Sequence, residues 1–502
     1  MEPKPPRSQG PSAWESVKDA FPFGIAPFLI LLLTVVSGLF LLAVTVFHGP
    51  AEGKAGLSMW TFARQHYVAY EKARPSFERK YATRLDLQSV HGDAVTRRLR
   101  AAYWANLDLP DVVEVEISRA GSFFRGPEGG ILFADITDFL TQPDPDHPQK
   151  RPLIDRIVKT RLSPYTHRGR IYGLPHDVHP VMLAYRADLF EQLGIDPNKL
   201  ETWDDFLREG RRITVPEQRY LLNLSRSGSW AVEILLFQRA EPNSPAGYFD
   251  ADGQLIMDND KAVDLLTWYI PLVKGPGRIA ADPGMFGQAF AKATQDGYTL
   301  CSFCPDWKTW GFQHDMPQLA GKMKLMPLPA VRKGGRRTST WGGTMLGMTR
   351  HCRDRDLAWK LARHMYMNKD DLGERFRELN ILPPFKDAWD NPAFHERRPY
   401  WCNQRIGTEY IRLADQTPPQ YTSPFIQLAK SKMGSVVANC LSAYDPGNPA
   451  GLREVVRQEL KAAADDIRRQ MKRNRKLSSP TKILDVGPLV MKKDRTTLLT
   501  SG

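Results

Sequence analysis

Gly169–Thr214 reads GRIYGLPHDVHPVMLAYRADLFEQLGIDPNKLETWDDFLREGRRIT. Arg170–Tyr185 has the composition of a strand, but Pro175 and Pro180 interrupt it. Each proline fixes φ and removes a backbone donor, so this stretch cannot lie inside a continuous central ladder. Seventeen residues on, Thr202 starts a helix: Thr202-Trp203-Asp204-Asp205 sets a carboxylate three positions after the N-cap. A broken strand followed by a capped helix describes an α/β chain that passes from one sheet to another.

Upstream the pattern is β-α-β-α-β. Leu57–Phe62 reads as a buried strand and Tyr67–Tyr81 as a helix that Pro75 should bend or interrupt. Leu85 and Leu87 alternate through Arg84–Val90, Asp93–Asn106 has helical period, and Pro110–Ile117 is a third strand. This alternation predicts a mostly parallel sheet covered by helices. Downstream, Ala262–Val273, Asp356–Met367 and Gly451–Lys476 are amphipathic. At 502 residues, 42% hydrophobic and 25% charged, the chain has material for about two to four domains. A mostly disordered chain and a polytopic membrane protein are excluded.

The net charge is +13, and residues 453–502 carry thirteen Lys/Arg against six Asp/Glu. More than half of the excess is thus one C-terminal stretch, which excludes a nucleic-acid-binding body with a basic face. Residues 477–502 read as a basic, extended or disordered tail. Ile25–Phe47 holds 23 residues without a charge, enough for a spanning helix of about 20 residues. It reads as an uncleaved anchor; a cleaved signal with a long core is the other reading. Lys4, Arg7 and Lys18 before it, against Lys54 and Arg64 after it, predict residues 1–24 inside and the bulk outside.

The opening stretch strongly resembles the solute-binding proteins of ATP-driven carbohydrate importers, the class that includes maltose-binding protein. So do Gly297–Ala330 (GYTLCSFCPDWKTWGFQHDMPQLAGKMKLMPLPA), Thr340–Gly347 (TWGGTMLG), Ile381–Phe394 (ILPPFKDAWDNPAF) and Pro418–Phe425 (PPQYTSPF). The resemblance covers roughly residues 57–470. It implies a two-lobed α/β fold with hinge crossovers near Pro175–Pro180 and Thr340–Thr344. The first lobe would be 57–175 with about 346–415, the second 180–340 with about 416–476. It also implies a carbohydrate ligand and separate permease subunits. No P-loop is present, so an ATPase would be another chain.

Sugar binding asks for aromatic faces and for planar polar groups on the hydroxyls. The candidates are Trp60 at the end of the first strand, Glu114 and Glu116 on one face of the third, and Asp177 on the first crossover. Trp307, Trp341, Gly342 and Gly343 complete the set; Trp401 and Tyr421 are weaker and more readily structural. For Trp60 and Trp341 core packing is the competing reading, and for the glutamates a solvated strand end. Glu114 and Glu116 could instead be the acid and base of a membrane-tethered glycan hydrolase. Two residues on one short strand cannot flank a glycosidic bond, so no enzyme is expected. A sensing module for a signalling partner is the other alternative. His176-Asp177-Val178-His179 offers two imidazoles without further ligands at supporting spacing, so neither metal nor cofactor is expected. Cys301 and Cys304 read as an outward disulfide or two packed thiols.

Overall fold

The computed structural model describes residues 29–39, 56–105, 107–124, 130–144, 147–241 and 244–478. Of the expected span, residues 29–39 are helical; its ends, the 1–24 segment and the tail from 479 lie outside the described residues. Among the described residues no helix is long and apolar enough to cross a membrane. The chain from Leu57 forms a unit separate from residues 1–56.

That unit begins with β1 (Leu57–Thr61), α1 (Arg64–Tyr81), β2 (Leu85–Ser89), α2 (Gly92–Ala105) and β3 (Val112–Glu116). β1 pairs in parallel with both β2 and β3. Pro75 neither ends nor breaks α1. One lost ladder bond is offset because His66, Tyr70, Ala73 and Phe77 bury one continuous face.

The chain then reaches β4 (Leu174–Pro175) and β5 (Val181–Arg186), the two pieces of the proline-broken strand. They lie in different sheets. α3 (Trp203–Ile213) carries the capping box read from Thr202 and Asp205. There follow β6 (Tyr220–Asn223), α4 (Trp230–Gln238), α5 (Asp260–Val273), β7 (Ala280–Ala281), β8 (Thr299–Pro305), α6 (Asp306–Asp315), β9 (Met323–Pro327) and β10 (Thr344–Met348). The first sheet has the order β2-β1-β3-β10-β4 and the second β9-β5-β8-β6-β7. β10 runs antiparallel to β3 and β4, and Pro180 bridges Thr340 in the same sense. Two antiparallel strips therefore connect the sheets side by side: residues 175–181 and 339–344.

The return segments are α7 (Arg355–Met367), α8 (Lys369–Leu379), α9 (Ile406–Ala414), α10 (Ile426–Ala443) and α11 (Leu452–Ser478). The first two pack on α1 beside the first sheet. The last two join α3, α4 and α5 in one core under the second sheet. Residues 399–414, expected with the first lobe, pack on Phe376 of α8 and also reach the second sheet. Gln404 exchanges two hydrogen bonds with the Leu325 backbone at 2.7 and 2.9 Å, which covers the exposed edge of β9. The Tyr410 hydroxyl donates to Cys304 O at 3.0 Å. Trp401 is fully buried. Cys301 and Cys304 are buried free thiols.

Candidate functional site

In the first sheet, β1 and β3 end together at the hinge, the usual place for a ligand crevice in an open α/β sheet. Glu116 caps the short helix Ile117–Ala120, accepting from Ser118 N at 3.1 Å, and stays partly exposed. Glu114, two residues earlier, is 0% exposed. Its Oε1 accepts the Tyr70 and Tyr366 hydroxyls at 2.5 Å each; Oε2 meets Thr61 and His66 Nδ1, the latter at 3.1 Å. Burial alone would raise its pKa; His66 above all, then His176 and Thr61, reverse this and hold it at about 2. This carboxylate is buried among internal partners and turned away from any sugar in the crevice, contrary to expectation. Trp60 is half-buried and packs on the β3 and α2 core, so its packing reading is the one the geometry favours.

The crossovers are held by Arg161, whose side chain is 0% exposed. Nε donates to Asp177 O, Nη2 to Asp177 Oδ1 and Gly342 O, and Nη1 to Thr340 Oγ1 and Gln420 Oε1, at 2.9–3.2 Å. One guanidinium thus grips both strips. Asp177, expected to accept sugar hydroxyls, is 1% exposed. Besides Arg161 it contacts His179 Nε2 at 3.0 Å, His176 Nδ1 at 3.3 Å and Thr344 N at 3.3 Å. Burial would raise its pKa, but the His179 charge and both histidine hydrogen bonds keep it well below the ordinary carboxylate range. The geometry makes it a hinge tie.

His179 adopts φ 55° and lies between two carboxylates, with Asp306 Oδ1 2.6 Å from its Nδ1. Burial disfavours its charge, yet Asp177 and Asp306 raise its pKa to about 9. Asp306 in turn accepts from Leu382 N at 2.6 Å and from Trp307 N at 2.9 Å. The crossover therefore fixes the start of α6, the turn that carries Trp307.

Here the aromatic residues gather. Trp307 and Trp341 are 5.2 Å apart between ring centres, and Trp307 Nε1 donates to Trp341 O at 3.1 Å. Phe286 joins them at 5.8 and 6.4 Å, the latter stacked. Trp230, at the start of α4, stacks on Trp341 from the core side at 5.5 Å. Trp307 and Trp341 are half-buried and Phe286 is 54% exposed. Gly342 has φ 88°, and a Cβ there would sit 3.1 Å from Trp307 Nε1; at Gly343, φ 151°, it would sit 2.3 Å from Arg161 Nη2. The pair lets the second crossover pass between the tryptophans and the clamp. Tyr421 packs half-buried on the second-lobe core. Lys308 lies nearby with its ammonium 4.4 Å from the Phe290 ring centre; burial lowers its pKa to about 8.

The structure thus brings Trp307, Trp341, Gly342 and Gly343 together, and turns Glu114 and Asp177 to internal work. Sequence reading missed Arg161, His66, Trp230 and Phe286. Of these only Trp230, opening the apolar run of α4, carries a signal beyond its residue type.

The family model described as bacterial extracellular solute-binding protein matches residues 65–370. An arabinooligosaccharide-binding protein of Halalkalibacterium halodurans is 27% identical over 70% of this chain and 76% of its own. Its namesake in Bacillus subtilis is 26% identical over 71% and 80%. Among solved structures, an extracellular solute-binding protein of family 1 superposes with a TM-score of 0.66 at 17% identity, covering 82% of this chain and all of its own. The sugar-binding protein MalE from Xanthomonas citri does so at 0.65 and 16%, covering 83% and 99%.

Proposed function

The chain belongs to the bacterial extracellular solute-binding proteins and is a binding protein rather than an enzyme, and from that membership we propose that it captures an oligosaccharide for an ATP-driven importer. The observation that carries this reading is the open aromatic wall of Trp307, Trp341 and Phe286 beside a double crossover. Pyranose and furanose rings present C–H faces that lie on aromatic planes, while their edges hydrogen-bond to polar groups. Glu116, at the strand end across the hinge and partly exposed, is the carboxylate available for hydroxyls. The names of the two bacterial relatives favour an arabinose-containing chain. The segment 25–47 would anchor the protein, with the two lobes in the periplasm or outside the cell and permease subunits as recipients.

Calorimetric titration of the full chain with arabino-, malto- and galacto-oligosaccharides tests the ligand. An arabino-oligosaccharide should bind, and Trp341→Ala should weaken it at least tenfold, about 1.4 kcal/mol. Binding of none of these sugars, or equal affinity in the variant, would overturn the reading. Protease added to spheroplasts should digest the lobes; protection would refute the topology.

A further inference from the structure

His66, Glu114 and His176 come from three separate elements: the first turn of α1, the middle of β3 and the first crossover. All three are buried, and one donor atom of each lies within 4.8 Å of the other two. The two imidazoles face one another at 4.1 Å between centres. Around them the hydrogen bonds have the form of an outer ligand shell. Tyr70 and Tyr366 hold Glu114 Oε1, and Thr61 holds Oε2. Asp177 Oδ2 lies 3.3 Å from His176 Nδ1, which places the proton of that imidazole on Nδ1. His176 Nε2 is then a lone pair, and among the described residues it is buried without a hydrogen-bond partner. An orphaned ring nitrogen beside a carboxylate and a second imidazole is costly unless something fills the gap.

We propose that His66, Glu114 and His176 bind one transition-metal dication of the zinc type, which ties the first crossover to the first lobe. Two imidazoles and a carboxylate form a nitrogen-rich set that suits zinc and its neighbours; calcium and magnesium take oxygen donors. A ligating histidine whose second nitrogen meets a carboxylate is the usual outer-shell arrangement at zinc. Bonds of about 2.0–2.2 Å set tetrahedral donors about 3.3 Å apart, so the three side chains close inward by roughly an ångström. Only His176 belongs to the His176–His179 pair visible in the sequence. The other two donors arrive from β3 and α1, more than sixty residues away, which spacing along the chain could not reveal. The proposal does not depend on the sugar reading, since the site lies in the scaffold rather than on the aromatic wall.

The test uses the full chain, stripped with a chelator and then titrated with Zn2+ by calorimetry and with Co2+ by visible absorption. One ion per chain should bind, cobalt should give the strong bands of a tetrahedral nitrogen–oxygen site, and zinc should raise the melting temperature reversibly. His176→Gln should lower zinc affinity at least about a hundredfold. Should that variant fail to fold, Tyr366→Phe keeps all three ligands, loses one support of Glu114, and should weaken zinc about tenfold. Absence of saturable binding in the wild-type chain would overturn the proposal. So would binding left unchanged in a folded variant, because the metal would then sit elsewhere.

Discussion

The two sides of the hinge do opposite things with their side chains. On the first-lobe side and in the crossovers, the buried carboxylates are used up. Glu114 is ringed by four donors, Asp177 by Arg161, His176 and His179, and all are buried. On the second-lobe side, Trp307, Trp341 and Phe286 keep ring faces partly open. The difference teaches that buried charge here builds the scaffold, whereas the partly open apolar faces are the part of the hinge region that the protein leaves uncovered. A buried ion is tolerable only when fully paired, so saturation is the mark of structure. The Trp307 and Trp341 rings are only partly covered by packing, and Phe286 beside them is exposed.

The harshest way to break this contrast is to remove the clamp. Arg161→Ala deletes donors to both crossovers and leaves Asp177 undercompensated in a dry site. We expect a loss of about 3–5 kcal/mol in denaturant unfolding, with Arg161→Lys recovering little because a single ammonium cannot serve both strips. A loss below about 1 kcal/mol would show that the crossovers hold without it.

A milder probe is pH, because the two crossover histidines are shifted in opposite directions. His179 is raised to about 9. Its contribution is therefore complete below the ordinary value near 6.5 and is lost as pH climbs through about 9. Burial, and then His66, lower His176 to about 4. Its contribution is complete above about 6.5 and lost as pH falls toward 4. Lys308, lowered to about 8, works against His179: the unfolded chain keeps that proton longer, so stability gains between about 8 and 10.5. The informative quantity is the difference between the wild-type chain and His179→Gln. It should shrink by on the order of 3 kcal/mol between pH 6.5 and 9.5. A pH-independent difference would mean that His179 is neutral and the paired-charge account of the hinge is wrong.

The same contrast marks how far the sequence could be read. The β-α-β-α-β start, the break at Pro175 and Pro180 and the cap at Thr202 were legible, because prolines, alternation and capping act locally. Trp307 stood out through the family resemblance and Trp341 through its neighbours Gly342 and Gly343, and the fold brings these four residues together. Glu114 and Asp177 were not. Whether a carboxylate meets a ligand or an internal donor depends on Tyr366 and Arg161, which are 252 and 16 residues away. Pro75 misled for a related reason: the buried face of α1 outweighs one missing hydrogen bond, and that face exists only once α7 packs on it. Residues 399–414 follow the open edge of β9, and that edge exists only in the folded sheet.

The smallest expected effect concerns Cys301 and Cys304. Within strand β8 they are three positions apart, so they point to opposite faces, and their Cα atoms are separated by about 10 Å at roughly 3.3 Å per residue. A disulfide needs Cα atoms within about 7 Å, so the pair cannot close without unmaking the strand. Burial also pushes both thiols up, Cys304 to about 12, which leaves almost no thiolate at neutral pH. Reductant should therefore leave the melting temperature unchanged, within about a degree, and a maleimide should label neither residue until the chain unfolds. A reductant-sensitive melting temperature, lost in Cys301→Ser, would require β8 to open in the native state. That would undo the account of the second lobe as a rigid support for its aromatic wall.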